Sequence, residues 1–220
     1  MGKYLNIEKY PNILNNLPYS TNWIKDQIKN NKLVFLPVRS YLAEQYSPKI
    51  NENSGKYTFV SIFYNYIYHN HKIPTQEEFY DKVHEVFLEE ENYAALKDKC
   101  GFIDGFKART YRTYPSIIRD FYFNKLLSEN GYEVIYSLKL DVQDKIDTLL
   151  IIDNKYYGVG MFVDTPRSRQ KREDKLSKLD KFDNVDYVDL PIIVDEHCET
   201  VGKIWLYTQY HIEKLMKVLN

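Results

Sequence analysis

The chain has 220 residues, 44% hydrophobic and 28% charged, enough apolar material for one large domain or two small ones and too much for a disordered chain. Its 30 basic and 31 acidic residues leave a net charge of −1, which excludes a protein that coats nucleic acid by bulk charge. Two distant cysteines, Cys100 and Cys198, exclude a disulfide scaffold or zinc cluster, and no apolar run approaches the roughly 20 residues of a membrane span.

Met1–Glu8 has neither an apolar h-region nor a small-residue cleavage site, so the expectation is a cytoplasmic protein without a membrane partner. A first helix is predicted over about Ser20–Asn30, carrying Trp23, Ile24 and Ile28. Ser47–Lys56, with Pro48, Asn51, Asn53 and Gly55, reads as a loop. Tyr57–Tyr68 reads as a buried helix with Val60, Phe63, Tyr64 and Ile67 on one face. After the loop His69–Pro74, Thr75-Gln76-Glu77-Glu78 carries a capping box that opens a helix with the stripe Phe79, Val83, Val86 and Phe87. Read as a helix-turn-helix, this pair is a poor DNA reader, because Glu77, Glu78, Asp81 and Glu85 would repel phosphates. Residues 1–104 are assigned to a helical N-terminal domain and 105–220 to a second domain.

The second half changes rhythm. Pro115–Leu127 is predicted as a helix opened by Ser116, facing inward with Ile118, Phe121, Tyr122 and Leu126, and stopped by Gly131. Three strands are expected next, over Tyr132–Leu140, Lys145–Asp153 and Tyr156–Val163, with Asp153-Asn154-Lys155 as a hairpin turn. Gly158 and Gly160 lie inside the third strand and imply a bulge or the close approach of another backbone. A basic helical stretch runs from Thr165 to about Phe182, followed by a buried strand over Val185–Val194. The apolar piece Ile204–Leu206 precedes a last helix with Ile212, Leu215, Met216 and Leu219 inward.

The order helix, β-meander, helix, strand resembles the core of the PD-(D/E)XK nuclease superfamily, the restriction-endonuclease-like fold, over roughly residues 105–220. Asp147 opens the second strand in Lys145-Ile146-Asp147-Thr148-Leu149, where that family places its central metal-binding aspartate. The implied fold class is α+β (α/β): an N-terminal helical domain followed by an αβββαβ core. The resemblance implies Mg²⁺ or Mn²⁺ held by carboxylates of adjacent strands, with a lysine beside them to stabilise developing charge. The third strand departs from the pattern. The family's second acid falls near Gly160 and its lysine near Phe162, and neither residue can serve. Either the site is degenerate and needs no cofactor, or its ligands have moved. In the second case Asp147 and Asp164 are the candidate metal ligands and Asp147, Asp164 and Asp120 the candidate catalytic set, with Asp141 and Asp144 as further acids.

Two basic clusters are candidates for nucleic-acid contact: Arg167, Arg169, Lys171 and Lys175 after the third strand, and Arg109, Arg112 and Arg119 among Tyr111 and Tyr114. The bland alternatives are a solvated helix face and tyrosines packed on a core. Together these features read as a catalytically degenerate DNA-binding or accessory module of a phage or mobile element. The alternative is an active Mg²⁺-dependent DNA endonuclease with migrated residues around Asp147. DNA is the expected partner, and a homodimer or a protein partner is compatible with either reading.

Overall fold

The computed structural model describes residues 3–36, 58–89, 91–177, 181–194 and 196–219. The loop predicted over Ser47–Lys56 lies outside them. Among the described residues no helix is long and apolar enough to cross a membrane. The chain groups into two compact units, Lys25–Ile118 and a unit made of Met1–Ile24 with Arg119–Asn220. This grouping is not the division at residue 104: the first 24 residues go with the C-terminal half.

In the unit Lys25–Ile118, helix α1 (Thr21–Ile28) runs in from the other unit and is followed by α2 (Phe59–Asn70), α3 (Gln76–Leu88), α4 (Glu91–Ala94) and the first half of α5 (Phe102–Glu129). Both middle helices start at side-chain caps. Thr58 and Ser61 form a capping box on α2, and Thr75 and Glu78 form the expected one on α3. The buried face of α2 is Phe59, Ile62, Phe63, Tyr64 and Ile67, so Val60 yields its predicted place to its neighbours. His71, with φ 53°, turns the chain out of α2.

The predicted helix start at Ser116 is corrected by α5, which continues through Pro115. A proline cannot donate to the carbonyl four residues back, here that of Tyr111. The Gln76 side chain takes over: its Nε2 donates to the Tyr111 carbonyl at 2.9 Å, and the residue is buried. The same amide accepts from the Val34 N–H at 2.8 Å and donates to the Val34 carbonyl at 3.1 Å. Gln76→Leu should therefore cost about 1–3 kcal/mol, chiefly through the buried Tyr111 carbonyl left without a donor. Urea unfolding of the variant checks this, and a change below about 0.5 kcal/mol would count against the role.

In the other unit, α5 ends at a Schellman motif. Gly131, with φ 84°, lets the Tyr132 N–H reach the Leu127 carbonyl at 3.2 Å and its own N–H reach that of Ser128 at 3.0 Å. Strand β1 (Glu133–Ile135) is far shorter than the predicted Tyr132–Leu140, because the chain turns at Tyr136–Ser137 into a short helix, α6 (Leu138–Val142). Asn12 closes the end of β1, donating to the Val134 carbonyl at 2.7 Å and accepting from the Tyr136 N–H at 3.2 Å. Lys125 is also buried, and its ammonium donates to the carbonyls of Leu14 and Leu17 at 3.1 and 2.5 Å. Thr21 is held by Glu129. These bonds explain why the first 24 residues belong to this unit.

Strands β2 (Thr148–Ile152) and β3 (Lys155–Val163) form the expected hairpin. Its two-residue turn, Asp153-Asn154, has φ 48° and 62°, the left-handed pair that suits strand twist. Helix α7 (Pro166–Ser177) follows, capped by the Thr165 hydroxyl on the Ser168 N–H, and leads to β4 (Val185–Ile192). The mixed sheet has the order β1-β2-β3-β4, antiparallel except for the parallel pair β3–β4. The predicted apolar piece at Ile204–Leu206 is β6 of a small hairpin, whose first strand, β5 (Glu199–Val201), the sequence pattern does not reveal. Helix α8 (Gln209–Leu219) buries Ile212 and Leu215.

Candidate functional site

The strand register locates the residues that matter. Thr148 is opposite Val159 in the β2–β3 ladder, so Asp147 comes one step beyond it, facing Gly160. Its Oδ2 accepts a hydrogen bond from the Met161 N–H at 2.8 Å. On the other side of β3, Gly160 is paired with Asp189 in the parallel ladder. Gly160 thus stands between two aspartates of neighbouring strands.

The space where a side chain at residue 160 would project is filled. A Cβ built on Gly160 would fall within the guanidinium of Arg172, overlapping its Nη2 and Cζ and lying 2.8 Å from its Nε. Arg172 extends from α7 and is 8% exposed; its Nε donates to Asp189 Oδ1 at 2.7 Å. Its Nη1 is buried with no hydrogen-bond partner. The expectation of a bulge or a backbone approach at the strand glycines is corrected: the register runs through both without a bulge, and side chains are the close neighbours, with Tyr187 and Val185 3.2 Å from a Cβ on Gly158.

The acids do not converge. Asp164 is held by Arg169 in a bidentate pair, with Nε and Nη2 at 2.5 and 2.8 Å, and hydrogen bonding from Arg169 keeps its carboxyl below the ordinary range. Asp141 accepts from the Tyr136 hydroxyl at 3.1 Å, and Asp144 accepts from Lys3 at 3.0 Å. Asp120, half-buried on α5, and Asp147 both act on the Tyr207 phenol. Burial first, and then these two charges, push that phenol up. The Tyr207 hydroxyl donates to the Leu190 carbonyl at 3.1 Å.

Among the described residues no three of His, Cys, Asp and Glu come together as a metal would require. The arrangement does not fit the Mg²⁺ or Mn²⁺ that the resemblance implies. Asp164 is turned to Arg169, and a guanidinium stands where the second carboxylate would lie, repelling a divalent ion from the place beside Asp147.

The basic residues are divided between the two units. Arg119 is corrected as a surface contact: it is 5% exposed, its Nε donates to the Trp205 carbonyl at 2.9 Å, and burial pulls its pKa down. Arg109 and Arg112 belong to the unit Lys25–Ile118 and are half-buried, with the Arg109 guanidinium 5.6 Å from the centre of the Phe59 ring. Arg167, Arg169 and Lys171 are exposed on the first turns of α7, in the other unit, and Arg167 and Lys171 share a face at i, i+4 spacing. The Lys175 side chain lies outside the described residues.

Sequence reasoning passed over Arg172 as a member of a basic run and did not single out Asp189 or Tyr207. The one signal for Arg172 was Gly160, a glycine in the middle of a strand. Comparison of the chain with protein-family models, with curated proteins and with solved structures finds no match.

Proposed function

We propose that this protein is a nucleic-acid-binding module on a nuclease-like αβββαβ core that no longer hydrolyses phosphodiesters. The observation that carries this reading is the Arg172 guanidinium over Gly160, at the position where the resembling family keeps a metal-binding acid. The mixed sheet order and Asp147 at the head of β2 support the resemblance to the PD-(D/E)XK superfamily. The exposed cations Arg167 and Lys171 on α7 are the phosphate contacts of this reading.

Fluorescence anisotropy with duplex DNA tests it. Affinity should fall steeply with salt, and the double substitution Arg167→Glu/Lys171→Glu should weaken binding at least about tenfold and flatten the salt slope by about 2. Plasmid should stay intact in Mg²⁺ or Mn²⁺. Cleavage that disappears in Asp147→Ala would establish the active-endonuclease alternative instead. Absence of DNA binding at low salt would leave a protein partner as the better reading.

A further inference from the structure

Two carboxylates bracket Gly160. Asp147 reaches the strand from the β2 side, tied to the Met161 N–H, and Asp189 is its ladder partner on β4. A row of acids on neighbouring strands attracts a cation. The cation present is a side chain of the chain itself. Arg172 is 8% exposed, paired to Asp189 at 2.7 Å, and its guanidinium lies in the space a residue-160 side chain would use. Its buried Nη1 makes no hydrogen bond. An ion pair alone does not explain this placement, because burying a guanidinium with an unsatisfied donor is costly and an exposed pair would avoid that cost.

We propose that Arg172 is a resident cation in the place of a divalent metal ion, and that Gly160 is the gap that admits it. The formal charge of the site differs by only one unit between the two arrangements. Two aspartates with one arginine carry −1, and two aspartates, a glutamate and the lysine of the pattern around one divalent ion carry 0. The chemistry is not the same. A guanidinium has no open coordination position, does not acidify water and stays protonated throughout the physiological range. The site keeps its electrostatic balance to within one charge without a metal and loses the means to activate a nucleophile. Nucleic-acid binding through α7 is then independent of divalent ions. The inference rests on the proposed function only in identifying this place as a metal's; the coupling of Gly160 to Arg172 and the binding of DNA can each fail without the other.

The test is a double-mutant cycle in thermal unfolding, read by Trp205 fluorescence, which reports the unit that holds the site. Gly160→Ala forces a methyl into the guanidinium and should lower Tm by about 4–10 °C. In the Arg172→Ala background the same substitution should shift Tm by less than about 2 °C. Arg172→Ala itself should fold, because the Asp189 side chain is 35% exposed and water reaches it once the guanidinium is gone. Should Gly160→Ala fail to fold, comparison of Gly160→Ala/Arg172→Ala with Arg172→Ala still decides. A second arm titrates Mn²⁺ by paramagnetic line broadening. The wild type should show no saturable binding, whereas Gly160→Glu/Arg172→Ala should gain a site that Asp147→Asn removes. Equal Tm shifts in both backgrounds, saturable Mn²⁺ binding by the wild type at Asp147, or a folded double variant without Mn²⁺ affinity would each overturn the proposal. Anisotropy on the same samples, with and without EDTA, reports DNA binding separately.

Discussion

Phe106→Ala should cost the unit Lys25–Ile118 about 3–5 kcal/mol, the range for emptying a fully enclosed aromatic site. Phe106 is completely buried on α5, and its ring meets those of Tyr93, Phe87 and Phe59 at centroid distances of 4.8, 5.5 and 5.8 Å. Phe102, Tyr80 and His84 complete the shell at 6.2–6.5 Å. Most of these pairs are edge-on or tilted, the arrangement that ring quadrupoles favour, so the deletion removes aromatic contacts as well as apolar area. The neighbours are rigid rings on four helices, which limits collapse into the cavity. The loss is comparable to the whole stability of a small domain. Both tryptophans, Trp23 and Trp205, lie outside residues 25–118, so their fluorescence does not follow this unit. Near-ultraviolet tyrosine dichroism or amide hydrogen exchange in α2 and α3 is the appropriate probe. A measured cost below about 1 kcal/mol would mean the cluster is not the core of the unit.

Acidification should destabilise the unit built on the mixed sheet, and His211 should account for much of the loss. His211, 2% exposed near the start of α8, accepts the Thr208 N–H at its Nδ1 at 3.1 Å. A backbone N–H can only donate, so Nδ1 must be unprotonated and the proton sits on Nε2. Burial is the main cause that brings its pKa down from 6.5 to about 4, with the charges of Lys214 and His197 adding to it. The sign follows from proton counting. Between pH 6.5 and 4 the unfolded chain takes up a proton that the folded imidazole refuses, so stability falls as pH falls. The slope is at most about 1.4 kcal/mol per pH unit, and the accumulated loss about 3 kcal/mol. Trp205 fluorescence in urea at a series of pH values measures it. His211→Gln keeps an acceptor at the third position of the helix, as a capping box allows, and should flatten the curve across this window. Parallel curves for variant and wild type would show that His211 is not the titrating group.

Much of the secondary structure was legible because its causes are local. The capping box at Thr75 and Glu78, the left-handed turn at Asp153-Asn154 and the stop at Gly131 each depend on a few adjacent residues, and each appears where the sequence puts it. The helix, meander, helix, strand order follows from the same local signals. Failures occur where a distant group overrides a local preference. Pro115 looks like a helix start until Gln76, thirty-nine positions earlier in the chain, supplies the missing donor. The segment after Ile135 alternates like a strand, yet Asn12 and Ile13 take the N–H and carbonyl of Tyr136. Val60 and Phe59 are both plausible inward residues, and only packing chooses between them.

The candidate site divides the same way. The sequence alone determined that Asp147 heads an apolar strand and that two glycines lie within the strand after it; that Gly160 and Phe162 stand where an acid and a lysine belong is what the resemblance implies. The sequence could not say which side chain fills the space at Gly160, because arginines in a basic run are equivalent until a helix axis is placed against a sheet. Only the tertiary structure decided that Arg172 turns inward to Asp189 while Arg167 and Lys171 are exposed, that Arg119 is buried with its Nε on the Trp205 carbonyl, and that Arg169 binds Asp164. The physical reason is that charge and hydrogen-bonding capacity belong to the residue, whereas desolvation and pairing belong to its place in the fold.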